Sequence, residues 1–182
     1  MRVITGVARG VRLGALEGID TRPTIERVKE AMFSAIQFEV PGRRVLDLFA
    51  GSGQLGIEAL SRGAVHADFA DSSKDSCAVI ADNLKRCNFE DTASVFCRDW
   101  RSFLESATSP YHLVLLDPPY GKGLCAAAME KLVEKNLITE QTIVICETAD
   151  KESLPDEIGP LSKTRTARYG AVRLTTYRGE QK

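Results

Sequence analysis

"RVLDLFAGSGQLGIEAL", residues 44–60, decides the fold. The apolar run around Asp47 predicts a strand over 44–50, and the residues after Gln54 predict a helix near 54–62. Between them Gly51, Gly53 and Gly56 stand at GxGxxG spacing, where glycine lets the backbone turn tightly and approach a ligand closely. Working outward, "ADFAD" (67–71) is a second strand and residues 73–88 an amphipathic helix. "ASVFCRD" (93–99), "YHLVLLD" (111–117) and "TIVICET" (142–148) are further strands, with helices at "RSFLES" and 124–136 between them. Upstream, "TRPTIERVKEAMFSAI" starts a helix that Thr21 or Thr24 caps, with Val28, Met32, Phe33 and Ile36 on one face. Residues 1–20, punctuated by Gly6, Gly10 and Gly14, read as a small β-hairpin. "SKTRTARYG" and "AVRLTTYR" read as two closing strands. Strands alternating with helices predict an α/β fold, a mostly parallel sheet with helices on both faces, in one domain over 1–182. Ligands of such sheets sit beyond the carboxyl ends of the strands, at the topological switch point.

Composition agrees: 182 residues, 43% hydrophobic and 27% charged, suit a globular domain with a real core. No apolar run approaches the roughly 20 residues of a membrane span, and "MRVITGVARG" lacks a signal peptide's apolar centre. A cytoplasmic protein with no membrane partner is expected. Cys77, Cys87, Cys97, Cys125 and Cys146 form no CxxC pair, so they read as small hydrophobes rather than disulfide or zinc partners. His66 and His112 are isolated, and no metal site is expected.

The net charge of −1 hides a pattern. Residues 1–44 hold eight Lys/Arg against five Asp/Glu, residues 161–182 six against one, and the middle is correspondingly acidic. Basic ends around an acidic middle could attract nucleic-acid phosphate to a rim. Arg2, Arg9 and Arg12 are the first candidate phosphate contacts; Arg165 and Arg168, with Lys163 and Arg173, are the second, and solvated faces are the alternative for both.

Acidic residues close the successive strands. Asp71 lies where a carboxylate can accept both hydroxyls of a ribose. Read alone, that suits a nicotinamide dinucleotide. Asp47, however, stands where it would crowd a pyrophosphate but could hold an ammonium. Asp99 could accept from an adenine amine, with Trp100 bordering the ring. Ammonium, ribose and adenine without pyrophosphate describe S-adenosylmethionine. Helix capping is the alternative for Asp71 and for Asp99, and a plain core position for Trp100.

The fourth strand ends in Asp117-Pro118-Pro119-Tyr120. The Asp117 carboxylate and the Pro118 carbonyl can each accept one N–H of an exocyclic aromatic amine, holding its nitrogen in line with a methyl donor. The prolines stiffen the fork, and Tyr120 can stack on a base drawn out of its own stack. This clamp names the reaction and leaves adenine N6, cytosine N4 and guanine N2 open.

The chain resembles the RsmD-type methyltransferases of bacterial small-subunit ribosomal RNA. The likeness rests on "RVITGVARGVRL", "RPTIERVKEAMFSAI", "VLDLFAGSGQLGIEALSRGA", "LLDPPYG" and a basic "YG…Y" strand pair, in that order. The resemblance implies a Rossmann-like class I methyltransferase fold with seven strands, the last antiparallel. It also implies methylation of 16S ribosomal RNA at guanine(966)-N2, with S-adenosyl-L-methionine as cofactor. The small ribosomal subunit would be the substrate, with ribosomal proteins as possible partners of a monomeric enzyme. By position, Arg22, Pro23 and Thr24 would border the methionine end of the cofactor, and Asp47, Phe49, Gly51 and Gly53 would form its loop. Asp71 would hold the ribose, Asp99 and Trp100 the adenine, and Asp117 to Tyr120 the target amine. The competing readings are an adenine-N6 methyltransferase of DNA or RNA, a non-catalytic ribosome-assembly factor and, more distantly, a dehydrogenase.

Overall fold

The computed structural model describes residues 1–16 and 23–180, and only the backbone of residues 23–25. Five parallel strands form first: β1 (Arg44–Leu48), β2 (His66–Asp71), β3 (Ala93–Cys97), β4 (Leu113–Leu116) and β5 (Ile143–Ala149). Each follows from a short apolar run, and β1, β2 and β4 are buried along most of their length because helices cover both faces. A two-residue strand, β6 (Glu157–Ile158), and a long one, β7 (Leu161–Tyr169), precede the last, β8 (Val172–Gly179). The order is β3-β2-β1-β4-β5-β8-β7-β6, with β8 antiparallel to β5. The expected class is therefore the observed one. The sheet has eight strands rather than seven because Glu157 and Ile158 add a two-residue edge pairing with β7.

The described residues form five α-helices, α1 (Pro23–Ala35) before β1 and, between the strands, α2 (Gln54–Ser61), α3 (Lys74–Cys87), α4 (Trp100–Ser106) and α5 (Leu124–Glu134). Their apolar stripes divide the core in two. One layer packs Val28, Met32, Phe33, Ile57, Phe69 and Ile80 against the odd residues of β1 and β4; the other packs Trp100, Phe103, Leu104, Met129 and Leu132 against the even ones. Each fully buried large side chain such as Phe33 or Phe69 contributes about 1.5–3 kcal/mol. α3 is capped by the Ser73 hydroxyl, which accepts from Ser76 N–H at 3.2 Å, and it ends in left-handed Asn88. α1 starts at Pro23, so Thr24 lies inside the helix rather than capping it, while Thr21 falls outside the described residues.

The N-terminal segment is less regular than the predicted hairpin. Its pairing is one antiparallel bridge, Arg2 to Arg12, flanked by Val3 N–H to the Val11 carbonyl and Leu13 N–H to the Met1 carbonyl, both at 3.0 Å, with residues beyond 16 outside the described region. α2 anchors it further. The fully buried Glu58 carboxylate accepts from Ile4 N–H at 2.8 Å and Thr5 N–H at 3.0 Å, and Ser61 Oγ accepts from Ala8 N–H at 3.0 Å. Asn83 of α3 exchanges two hydrogen bonds with Gly14, at 2.7 and 3.0 Å. Lys29, buried between Glu58 at 3.6 Å and the Arg2 carbonyl at 2.8 Å, completes the anchor; burial holds its pKa down against the pull of Glu58.

Candidate active site

β1 and β4 are sheet neighbours whose connections leave in opposite directions, so a crevice opens beyond their carboxyl ends. The acidic residues singled out in the sequence converge there. Asp47 is buried at the end of β1, its Oδ2 accepting from Gly56 N–H of α2 at 2.8 Å. Burial, with Asp71 close by, raises its pKa to about 7 against that single backbone hydrogen bond. After β1 the chain turns through Phe49, which takes a left-handed φ of 68°, then Gly51 at 57° and Gly53 at 75°. A Cβ on Gly51 would meet nothing within 4 Å, so the loop presents open backbone. A Cβ on Gly56 would stand 2.3 Å from Phe69 Cε1, which is why α2 can lie so close to β2.

Asp71 closes β2 and bridges two loops: Oδ2 accepts from Gly51 N–H and Oδ1 from Ser73 N–H, both at 2.9 Å. The α3 cap is Ser73, so the capping alternative for Asp71 does not hold. A carboxylate offers about four acceptor positions, and Asp71 keeps capacity for further donors. At Asp99 the alternative does hold: its Oδ1 caps α4 through Arg101 N–H at 2.9 Å, and the residue is exposed. Trp100 is buried beneath the Arg101 guanidinium, 4.3 Å from the ring centroid, and lies 6.0 Å from the Phe49 ring. The two rings form an apolar wall beside the glycine loop. Gln54 Oε1, buried without a partner among the described residues, is an orphan acceptor at the start of α2.

Asp117 to Tyr120 follow β4. Pro118 is buried, whereas Pro119 and Tyr120 are exposed. The Pro118 carbonyl accepts no hydrogen bond among the described residues. Asp117 is pushed well above the usual carboxylate range, first by burial and then by Glu147 and Asp47. Glu147 escaped the sequence reading. The Tyr120 hydroxyl donates to its Oε1 at 2.7 Å, and Gly121 N–H donates to Glu152 at 3.2 Å, so β5 and the segment after it tie down the Asp-Pro-Pro-Tyr turn. The available signal was the pattern of β1 and β4 repeated: an apolar run, "IVIC", ending in an acid.

Arg22 lies outside the described residues, as do the side chains of Pro23 and Thr24; the backbone of the latter two opens α1. Arg2, Arg9 and Arg12 are exposed on the N-terminal segment, and Arg2 and Arg9 line, with Arg27, a cavity of about 430 Å³. Of the C-terminal basic residues, Arg168 and Arg173 pair with Asp150 and Lys163 with Asp156, whereas Arg165 is exposed without an ion pair among the described residues. The cysteines are free thiols; three are buried as expected, but Cys97 is exposed at the end of β3.

A family model described as "Conserved hypothetical protein 95" matches residues 1–178. The chain belongs to this family. Ribosomal RNA small subunit methyltransferase D of Haemophilus influenzae is 34% identical to it over 179 residues, 96% of this chain and 92% of the relative. YlbH of Bacillus subtilis is 36% identical over 181 residues, 98% of each chain. The resemblance to RsmD-type methyltransferases is thus borne out. The solved structure of yhhF from Escherichia coli superimposes with a TM-score of 0.90 at 30% identity, covering 100% of this chain and 99% of that one. A more partial relative, the tRNA1(Val) (adenine(37)-N6)-methyltransferase of Pectobacterium carotovorum, is 27% identical over 118 residues, 62% of this chain and 47% of its own.

Proposed function

We propose that this protein transfers a methyl group from S-adenosyl-L-methionine to ribosomal RNA, at the N2 amine of a guanine in the small subunit, the guanine(966)-N2 of its family. The observation that carries the proposal is the junction of two features across β1 and β4: an open glycine loop flanked by Asp47 and Asp71, and the Asp-Pro-Pro-Tyr turn on the adjoining strand.

The residues present fit the cofactor. The backbone at Gly51 is open, Asp71 retains acceptor capacity, and Gln54 holds an unpaired buried oxygen. Asp47 would face the ammonium, Asp71 the ribose, and Asp99 with Trp100 and Phe49 the adenine; Arg22, Pro23 and Thr24 would border the methionine end. Bound there, S-adenosylmethionine supplies an electrophilic methyl on a sulfonium. Asp117 and the Pro118 carbonyl accept the two N–H groups of the target amine, orienting its lone pair and favouring positive charge on nitrogen. Tyr120 stacks on the extruded base. Arg2, Arg9 and Arg12 of the N-terminal extension hold RNA phosphates, with Arg165 and Arg168 as a second contact. The work is done by a cytoplasmic monomer on the assembled or nearly assembled subunit, with ribosomal proteins at the edge of the contact.

The test is methyl transfer from labelled S-adenosylmethionine to small subunits lacking their own N2-guanine modification, followed by nucleoside mass analysis. N2-methylguanosine is expected. Methyl on adenine N6, the second reading that the partial relative favours, would keep the cofactor site and replace the base. Cofactor binding without transfer would leave an assembly factor.

A further inference from the structure

The clamp as described holds any exocyclic amine, so something else must choose the base. Leu116 of β4 pairs with Cys146 of β5, which sets the next residues, Asp117 and Glu147, side by side at the crevice mouth. Alternation along the strands puts both on the face that carries Asp47. Glu147 is half-buried, and its two oxygens differ. Oε1 accepts from the Tyr120 hydroxyl at 2.7 Å, while Oε2 has no hydrogen-bond partner among the described residues.

We infer that Glu147 selects guanine: Oε1 fixes the Tyr120 ring against which the base stacks, and Oε2 accepts the ring N1–H beside the amine held by Asp117. The inference rests on the proposed guanine-N2 reading and deepens it. Guanine presents two adjacent donors on this edge, N1–H and the N2 amine. Adenine and cytosine place a lone pair next to their amine, and that lone pair would face an anion. Charge placement agrees. Burial raises both carboxyls, but Glu147 and Asp47 raise Asp117 further, whereas the Tyr120 hydrogen bond opposes the rise at Glu147. The hydroxyl donated by Tyr120 thus favours a carboxylate at Glu147. Asp117, where it holds the proton, still offers its carbonyl oxygen to the amine.

The decisive probe is 2-aminopurine, which keeps the N2 amine and lacks N1–H. Reconstituted small subunits carrying guanine, 2-aminopurine or adenine at the modified position would be assayed for kcat/KM with wild type and Glu147→Gln, with S-adenosylmethionine titration as the control for an intact fold. Wild type should prefer guanine over 2-aminopurine by about tenfold to a hundredfold, the range of a hydrogen bond to a charged group. Glu147→Gln should erase most of that ratio by lowering the guanine value, with cofactor affinity unchanged. If Glu147→Gln does not fold, Tyr120→Phe, which removes only the hydroxyl that fixes Glu147, should lower the same ratio. An unchanged ratio, with N2-methylguanosine still formed, overturns the role of Glu147 and leaves the proposed function intact. No guanine methylation by the wild type overturns both.

Discussion

Gly56→Ala tests how the site is positioned. The added Cβ would lie 2.3 Å from Phe69 Cε1 and 2.7 Å from Cζ. Ordinary contact begins near 3.4 Å, so α2 and β2 must separate by roughly 1 Å, or the ring must turn. The ring has little freedom, because Phe69 is fully buried and already stands 3.3 Å from where a Cβ on Gly53 would be. Overpacking of this kind costs about 1–3 kcal/mol, which for a chain of this size lowers Tm by roughly 2–12 °C. The displacement also reaches the crevice, since Gly56 N–H is the donor to Asp47 and α2 begins at Gln54. A misplacement of about 1 Å can cost a hundredfold in a positioned reaction. S-adenosylmethionine affinity, measured by calorimetry well below the new Tm, should therefore fall as well. Gly51→Ala is the contrast: its Cβ meets nothing, so the left-handed φ of 57° costs only about 1–2 kcal/mol, while the methyl would intrude where the proposed cofactor would lie. A Gly56→Ala protein with wild-type Tm and wild-type affinity would refute the claim that helix–strand contact sets the loop.

Four further outcomes are expected. Asp47 holds its proton to about pH 7 when folded against 3.8 unfolded, so its stabilising contribution is full below about pH 4 and lost as pH rises through 7. The loss is on the order of 4 kcal/mol, and Asp47→Asn should flatten urea stability between about pH 4 and 7. Asp117→Ala should lower kcat by about a hundredfold or more while cofactor affinity in titration holds. Glu58→Ala leaves Lys29 buried without its partner and frees the N-terminal segment; urea unfolding should show a loss of about 3–5 kcal/mol, and hydrogen exchange should quicken at Ile4 and Thr5. Replacing Arg9 and Arg12 by alanine should weaken RNA binding and reduce its log–log salt slope by about 0.7–0.9 per lost phosphate contact.

The parallel half of the sheet was legible because each strand is an apolar run with sharp punctuation: glycines after β1, prolines after β4. Predicted ends differ by at most two residues, as at β1, which closes at Leu48 because Phe49 turns left-handed. Three features escaped. Glu157–Ile158 is too short to carry a periodicity. The N-terminal segment leans on Glu58, more than fifty residues away, and nothing in "QLGIEALS" marks that glutamate as fully buried. Glu147 lies inside β5, not just beyond it, so a search for side chains after each strand passes over it.

The charge pattern acquires a spatial sense once the site is in place. Asp47, Asp71, Asp117 and Glu147 gather at one end of the sheet, and burial raises Asp47, Asp117 and Glu147. Carboxyls left this way cost stability, and ligands that bring positive charge or N–H donors recover it. A sulfonium with an ammonium brings the first, and a guanine edge the second. A phosphate brings neither, so on the proposed reading the acids that would receive the cofactor and the base would turn the RNA backbone away from the crevice. The exposed Arg9, Arg12 and Arg165 are where the backbone could settle. On the proposed reading, then, an RNA strand can satisfy both regions only by lying along the rim and turning one unstacked base inward. That is the geometry the Asp-Pro-Pro-Tyr clamp requires.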